Sequence, residues 1–504
     1  MSAKREIDEV EEAVESGSVA KVAKTESNGS RKAKKPKRKA SESEDENGVV
    51  SEADEEEDDK SDTEKDDDIP SVPVEIPEKE KGKVLGPEGT GILLICGGTN
   101  WDAAGRKTAP KGGKNFGPNL WSPHRFMPFA KIRVRLVASG PTSAHNIVVS
   151  EDGKAYSFGR NEKGQLGHGD ELRRDTPLII EAVKDEVIVG AACGRNHTLL
   201  LSVRGEVFSM GDNKNGQCGV KNSTQATVPT ATSINYKGAP IVKVGCGGEF
   251  SIILDCKGAM HSFGLPEYGQ LGHNTDGKYF VTSTKMGFHC EMAPKRIVFF
   301  IERTKDGKIK PVEVDEIRDF SCGTNHTCAI DSKKRLFSWG FGGIGRLGHA
   351  EQRDELVPRL IKFFDSQNRG VRGVWCGSSY SLAVNDFGVM YMFGQNKRTG
   401  EANMYPKPIQ DLTGWNVRAV GVGNTSIVVA ADDSVISWGP SPTSGELGLG
   451  ETRKSSTTPL EVKSLDGIYV EQIACGMTHT LFIARDKSDE EKQNIESLEE
   501  YTPA

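Results

Sequence analysis

Four histidines (His145, His197, His326, His479) and five of the ten cysteines (Cys193, Cys246, Cys322, Cys376, Cys475) are the side chains of this chain best equipped for chemistry, and they recur at fixed intervals. Imidazole beside thiol suits a nucleophile with its base, or a zinc site, which a Cys-x-x-Cys pair would mark. No such pair exists. Where other copies of the surrounding phrase lack the histidine they carry Phe250, Tyr380 or Ser426, and a position open to phenylalanine packs and hydrogen-bonds within its blade rather than ligating or catalysing. The cysteines read as small, buried, reduced side chains. His168, His273 and His349 each follow a Gly-x-Leu-Gly turn and read as loop-fixing. With no Ser/His/Asp order, phosphate-cradling loop or supported carboxylate pair, the sequence calls for no covalent catalysis, no metal and no cofactor.

The element carrying these residues is a repeat. A glycine turn, an apolar strand, a tight turn and a strand ending in aromatic-Gly recur, as in Cys193-Gly194-Arg195-Asn196-His197-Thr198 to Phe208-Ser209-Met210-Gly211. The turn glycines Gly140, Gly194, Gly247, Gly323, Gly377, Gly423 and Gly476 are spaced by 54, 53, 76, 54, 46 and 53 residues, a period that signals an array of small sheets. Hairpin signals (Asp152-Gly153, Arg204-Gly205, Lys257-Gly258, Phe387-Gly388) make the neighbours antiparallel. A lone four-stranded sheet cannot bury its faces, whereas radial stacking can, so the expected fold is all-β, a seven-bladed propeller over residues 86–485. The last copy lacks its second half, and Gly91–Gly97 matches Gly153–Gly159, so the N-terminal strand should pair into the C-terminal blade and close the ring.

Outside the repeat, residues 1–85 are nearly free of aromatics and carry a net charge of −10, against +7 for 86–484 and −4 for 485–504. Such a leader cannot bury enough surface to offset its ordering entropy, which predicts a disordered tail. Within it, the run Arg31–Lys39, with Lys34, Lys35, Lys37, Arg38 and Lys39, is of the kind an import receptor reads, and an acidic tract, Glu42–Asp68, follows. Ser41, Ser43, Ser51 and Ser61 each have an acid three positions on and suit an acid-directed kinase, whose phosphates would sit beside the basic run. Residues 486–504 read as a charged tail. No stretch approaches the roughly 18 apolar residues of a membrane span, so a soluble intracellular protein is expected.

The long third interval exceeds the period by 23 residues. Its β-rich runs, Arg296–Glu302 and Ile309–Val314 around Asp306-Gly307, read as a hairpin inserted at about 295–315, either an extra ribbon on the blade's side or a contact element.

The Cys-Gly-x-Asn-His-Thr and Gly-Gln-Leu-Gly-His phrases resemble the repeats of the regulator of chromosome condensation family, whose founding member is the exchange factor for the GTPase Ran. Irregular strings such as Thr99-Asn100-Trp101-Asp102, Asn119–Arg125, Pro266–Asn274 and Ile436–Pro442 are similar to a mitotic branch of that family. The resemblance covers roughly residues 91–485. It implies a nuclear and nucleolar protein that binds small GTPases, more of the Rho, Arf or Ral type than Ran, with nucleotide exchange as the most it would catalyse. It further implies association with chromatin, microtubules, chromosomal passenger proteins and the centromere in cell division, and with an import receptor. An inserted hairpin serves the Ran exchanger as a wedge, which makes Phe299, Phe300, Arg303, Lys305, Asp306 and Lys308 contact candidates here. Arg195 and Glu249, in the loops leading to the repeat position, join them; Glu249 is the one acid among the loops at Gly194, Gly247 and Gly323. The alternative is a chromatin or microtubule scaffold that never touches a GTPase.

Overall fold

A computed structural model describes residues 84–106, 117–220, 225–304, 306–396, 401–440 and 443–503. The basic run, the acidic tract and the four candidate serines lie outside the described residues.

Seven antiparallel blades surround a central channel. In the first, the strands Val134–Ala138, His145–Ser150, Ala155–Gly159 and Arg174–Ile179 run from channel to rim. Each blade's second strand is sandwiched between neighbouring blades, so all six residues of His145–Ser150, His197–Ser202 and His326–Asp331 are buried. That is why these strands read as continuous apolar runs instead of alternating ones. Channel-side strands of all seven blades line a cavity of 260 Å³ that contains the Lys243 to Asp319 ion pair. The turn after the second strand needs a left-handed residue. Glycine supplies it at Gly153 (φ +87°) and Gly205 (φ +77°), while Lys334 (φ +61°) and Asp432 (φ +46°) take it at a steric cost in the fourth and sixth blades.

The ring closes as expected, and more thoroughly. Val470–Cys475 and His479–Ala484 are completed by Ile92–Gly98, in register from Ile92 opposite Ala484 to Gly97 opposite His479. A second N-terminal strand, Asn119–Phe126, then forms the fourth strand of the blade.

The segment read as a charged tail is instead a clasp over that blade. A helix, Asp489–Glu496, starts in a capping box in which the Ser488 hydroxyl accepts from the Glu491 N–H and the Glu491 carboxylate accepts from the Ser488 N–H. Ile495 enters the core of the closing blade, and Glu500–Tyr501 pairs with Asn119–Phe126, stacking Tyr501 on Phe126. Charge dominates the composition of this segment, but its few apolar residues dock it.

The extra length of the third interval is also divided differently from the expectation. From His273 to the strand Glu291–Arg296 there are 18 positions, against 6 from His168 to Arg174 in the first blade. A further 21 separate Arg296 from Ile317, against 9 from Ile179 to Ile188. Two short ribbons result, Lys278–Phe280 with Met286–Phe288 and Ile301–Arg303 with Ile309–Pro311. No helix among the described residues is long and apolar enough to cross a membrane.

Candidate docking site

The recurring histidines hold the ring together, and they do so between blades rather than within one as the sequence suggested. His145 Nε2 lies 2.8 Å from Thr198 Oγ1, His197 Nε2 lies 2.9 Å from Ser251 Oγ, and His326 Nε2 lies 2.9 Å from Ser381 Oγ, in each case on the next blade. His479 reaches Asn146 across the closing seam. Tyr380, at the same position, donates to Ser426 O at 2.8 Å, while Phe250 only packs, against Phe320 and Trp339 of the fourth blade. Burial drives three of these imidazoles toward neutrality, with His145 and His479 lowered to about 3 and His197 to about 4. A neutral, shielded imidazole bonded to a hydroxyl is a staple. His168, His273 and His349 fix their own loops by bonds of 2.8, 3.0 and 2.9 Å to Ser157, Ser262 and Ser338.

The recurring cysteines are buried, and burial raises the thiols of Cys193, Cys246, Cys322 and Cys475, the last to about 12. Among the described residues no three His, Cys, Asp or Glu side chains are grouped to hold a metal ion.

The contact candidates fall into two places. Arg195 and Glu249 pair at 2.8 Å across adjacent loops of the second and third blades, and Asn215 Nδ2 donates to the second Glu249 oxygen at 3.0 Å. The single acid of those loops is therefore already engaged. The hairpin lies at the rim, where Ile301 bridges Arg359 of the fourth blade's outer strand, the arrangement of an extra ribbon on the blade's side. Phe300 turns inward, edge-on to Phe337 at 5.3 Å, while Phe299 is 63% exposed. Arg303 folds back on buried Glu355 at 3.3 Å, Lys308 lies 3.9 Å from Asp306 at the exposed tip, and Lys305 lies outside the described residues. No hydrogen bond or ion pair among the described residues joins the loop pair to the ribbon.

The sequence reading missed the other ribbon. Tyr279, Phe280, Val281 and Met286 point largely into solvent, with Phe280 79% exposed. It belongs to the loop between third and fourth strands, which an antiparallel meander places on the same face as Arg195 and Glu249. Its signal was present in the run Lys278-Tyr279-Phe280-Val281 and in the long gap after His273, but the whole excess had been assigned downstream. Of the fifteen exposed large hydrophobics among the described residues, eight fall between Tyr279 and Ile309. Exposed apolar side chains thus concentrate in the added residues between the third and fourth blades. A cavity of 280 Å³ lies between the two ribbons.

Residues 152–201, 204–254, 257–330, 334–384 and 432–483 match the Regulator of chromosome condensation (RCC1) repeat. The chain belongs to the RCC1 repeat family. It is 54% identical to human Protein RCC2 over 429 residues, which span 84% of this chain and 82% of that protein, and 53% identical to the zebrafish (Danio rerio) homolog over 84% and 86%. Among solved structures it resembles Saccharomyces cerevisiae Prp20p, at 18% identity and a TM-score of 0.62 over 82% of this chain and 96% of that one. The same yeast protein bound to Kap60 gives a TM-score of 0.63 at 18% identity, over 83% and 94%. These structures support the propeller fold; the relation to Protein RCC2 rests on sequence.

Proposed function

We propose that this protein is a docking regulator of small GTPases, of the Rho, Arf or Ral type, acting in the nucleus and at chromatin, centromere and spindle during cell division. The observation that carries the reading is the clustering of exposed apolar side chains on the two ribbons between the third and fourth blades, in a propeller whose histidines and thiols are committed to its own seams. Phe280 and Phe299 are the central contacts, with Lys308 at the ribbon tip. Exchange of a bound nucleotide requires no acid, base or metal from this chain, only tighter binding to the nucleotide-free GTPase than to the loaded one. Prp20p, a structural relative, has been studied for its binding to Gsp1p and histones and captured with Kap60. By the same family relation, Lys34, Lys35, Lys37, Arg38 and Lys39 are assigned to an import receptor, and Ser41, Ser43, Ser51 and Ser61 to a kinase that masks them.

The test is nucleotide-release kinetics and pull-down across a panel of nucleotide-free, GDP-bound and GTP-bound GTPases. Preference for one nucleotide state, lost in Phe280→Ser and Phe299→Ser, supports the reading. Indifference to nucleotide state supports instead a chromatin or microtubule scaffold, an alternative favoured by the engagement of Glu249 with Arg195 and Asn215.

A further inference from the structure

The seam between the fourth and fifth blades sets a second cysteine opposite a recurring one. Two residues beyond the repeat histidine, the second strands carry Ile147, Leu199, Ile252, Leu382, Val428 and Leu481, yet the fourth blade carries Cys328 there. All seven side chains are buried, so the exchange of a branched aliphatic for a thiol is made inside the propeller wall. Cys376, ending the first strand of the fifth blade, faces Cys328 across the seam. Ser381 Oγ lies 3.6 Å from Cys328 Sγ, 3.9 Å from Cys376 Sγ and 2.9 Å from His326 Nε2. Two thiols, an imidazole and a hydroxyl therefore meet at one point, whereas Cys193 and Cys246 each donate to a carbonyl of the preceding blade, at 3.6 and 3.5 Å.

The two sulfurs are not equivalent. Burial pushes both thiols up. At Cys376 the adjoining Cys328 thiol, His326 and Ser381 more than offset it and hold that thiol well below its usual range, while Cys328 stays raised. Cys376 also lines the 260 Å³ channel cavity, and Cys328 does not. A cavity of that size, holding the Lys243 to Asp319 ion pair, admits water and molecules little larger, such as hydrogen peroxide. The more acidic sulfur is thus the one beside the channel, with the other directly behind it.

We propose that Cys376 and Cys328 form a peroxide-responsive dithiol, in which Cys376 is the sulfur oxidised first and Cys328 the one that closes a disulfide bracing the fourth blade against the fifth. The Cys376 thiolate attacks one peroxide oxygen and the O–O bond breaks. The departing hydroxide takes up the proton Cys376 had released, leaving a sulfenic acid and one water. The Cys328 sulfur then attacks the sulfenic sulfur, the S–O bond breaks, and the hydroxyl leaves with the Cys328 proton as a second water. Two electrons pass from the sulfurs to one peroxide. The cysteines are 48 positions apart, and the loop so closed contains both outer strands of the fourth blade, Leu336–Gly340 and Glu355–Leu360. Such a brace forms whichever partner the ribbons meet.

The full chain is treated with hydrogen peroxide, its remaining thiols are alkylated, and its tryptic peptides are read by mass spectrometry without reduction. The expected product joins the peptide of Cys376 to that of Cys328, two hydrogens lighter than the separate peptides together. The thermal midpoint rises with it by several degrees, until dithiothreitol restores the starting value. Exposed Cys256 reports in the same digest that the oxidant was active, so a missing link counts against the proposal. Cys322 shares the Cys328 peptide, and Cys328→Val, which restores an aliphatic of the kind the other blades carry, decides between them. In that variant the link should vanish, and dimedone, which traps sulfenic acids, should label Cys376 roughly tenfold more than Cys193, Cys246 or Cys475. No linked peptide, a link that persists in Cys328→Val, a midpoint unmoved by linkage, or no dimedone label on Cys376 would overturn the proposal.

Discussion

The seam between the seventh and first blades and the junction between the third and fourth are the two places where the repeat is broken, and they are broken in opposite senses. At the closing seam the flanking segments turn inward. Ile92–Gly98 pairs along its length with His479–Ala484, Arg160 of the first blade donates to Trp101 O at 2.8 and 3.0 Å, and Trp101 stands edge-on to His479 at 4.9 Å. The clasp adds Arg125 to Glu500 at 2.9 Å and His124 to Glu499 at 2.8 Å. At the junction of the third and fourth blades the added residues turn outward and leave Phe280 and Phe299 in solvent. Irregularity in this repeat therefore takes two forms, one that closes the ring and one that leaves apolar side chains in solvent for the proposed docking, and burial tells them apart.

Removing residues 91–97 deprives the seventh blade of an interior strand and should abolish cooperative unfolding, read as loss of the thermal transition in circular dichroism. Ile495→Ala breaks the same seam more gently. It empties a buried site between the clasp and the blade, for an expected loss of about 3 kcal/mol in denaturant unfolding, where ordinary surface substitutions stay within about 0.5 kcal/mol.

The histidine staples give the ring a pH dependence that the docking junction lacks. His145, His197 and His479 have folded-state values of about 3 to 4, below the unfolded value of about 6.5, so the unfolded chain takes up more protons as pH falls. Their stabilisation is complete above pH 6.5 and is lost progressively as pH falls toward their folded values of about 4 and 3. Glu446 works against this. Burial raises its carboxyl to about 7, so between about pH 4.5 and 7 the folded state holds a proton the unfolded state has released. With His168 also lowered to about 4, the imidazoles outweigh this one carboxyl, and stability falls as pH drops from 6.5 to 4.5, measurable as the denaturant midpoint against pH. Glu446 occupies the position of Gln165, Gln217 and Gln270, and like them it accepts a backbone N–H two residues earlier, from Ser444 at 2.8 Å. Glu446→Gln keeps that bond without the buried charge and should stabilise the protein by about 2 kcal/mol at pH 8 and little at pH 5.

The ring was legible because glycine turns and continuous apolar strands are local signals repeated seven times, and the match of Gly91–Gly97 to Gly153–Gly159 exposed the closure. The staples were not, since a histidine seen in sequence does not show which blade its Nε2 faces; Thr198 and Ser251 are ordinary strand residues until the blades stack. The clasp was hidden because Asp489-Glu490-Glu491 reads as solvated charge, whereas in the structure Glu491 is bound by Ser488 and Arg485. The pairing of the loop candidates was hidden for a related reason: Arg195 and Glu249 meet across a blade boundary that spacing alone does not reveal.

The smallest expected effect on stability is the one that most sharpens the contrast between the two regions. Phe280→Ser and Phe299→Ser remove large rings that bury little, so each should shift the unfolding free energy by no more than about 0.5 kcal/mol, in contrast to Ile495→Ala. Neither alters a staple, so the pH profile should be superimposable on that of the unchanged chain. Partner binding should nevertheless weaken at least tenfold, because an exposed aromatic can contribute to association what it does not contribute to folding. If either substitution instead lowers the melting temperature by several degrees with binding intact, the ribbons are structural braces of the fourth blade, and the distinction between a seam that closes and a junction that docks is lost.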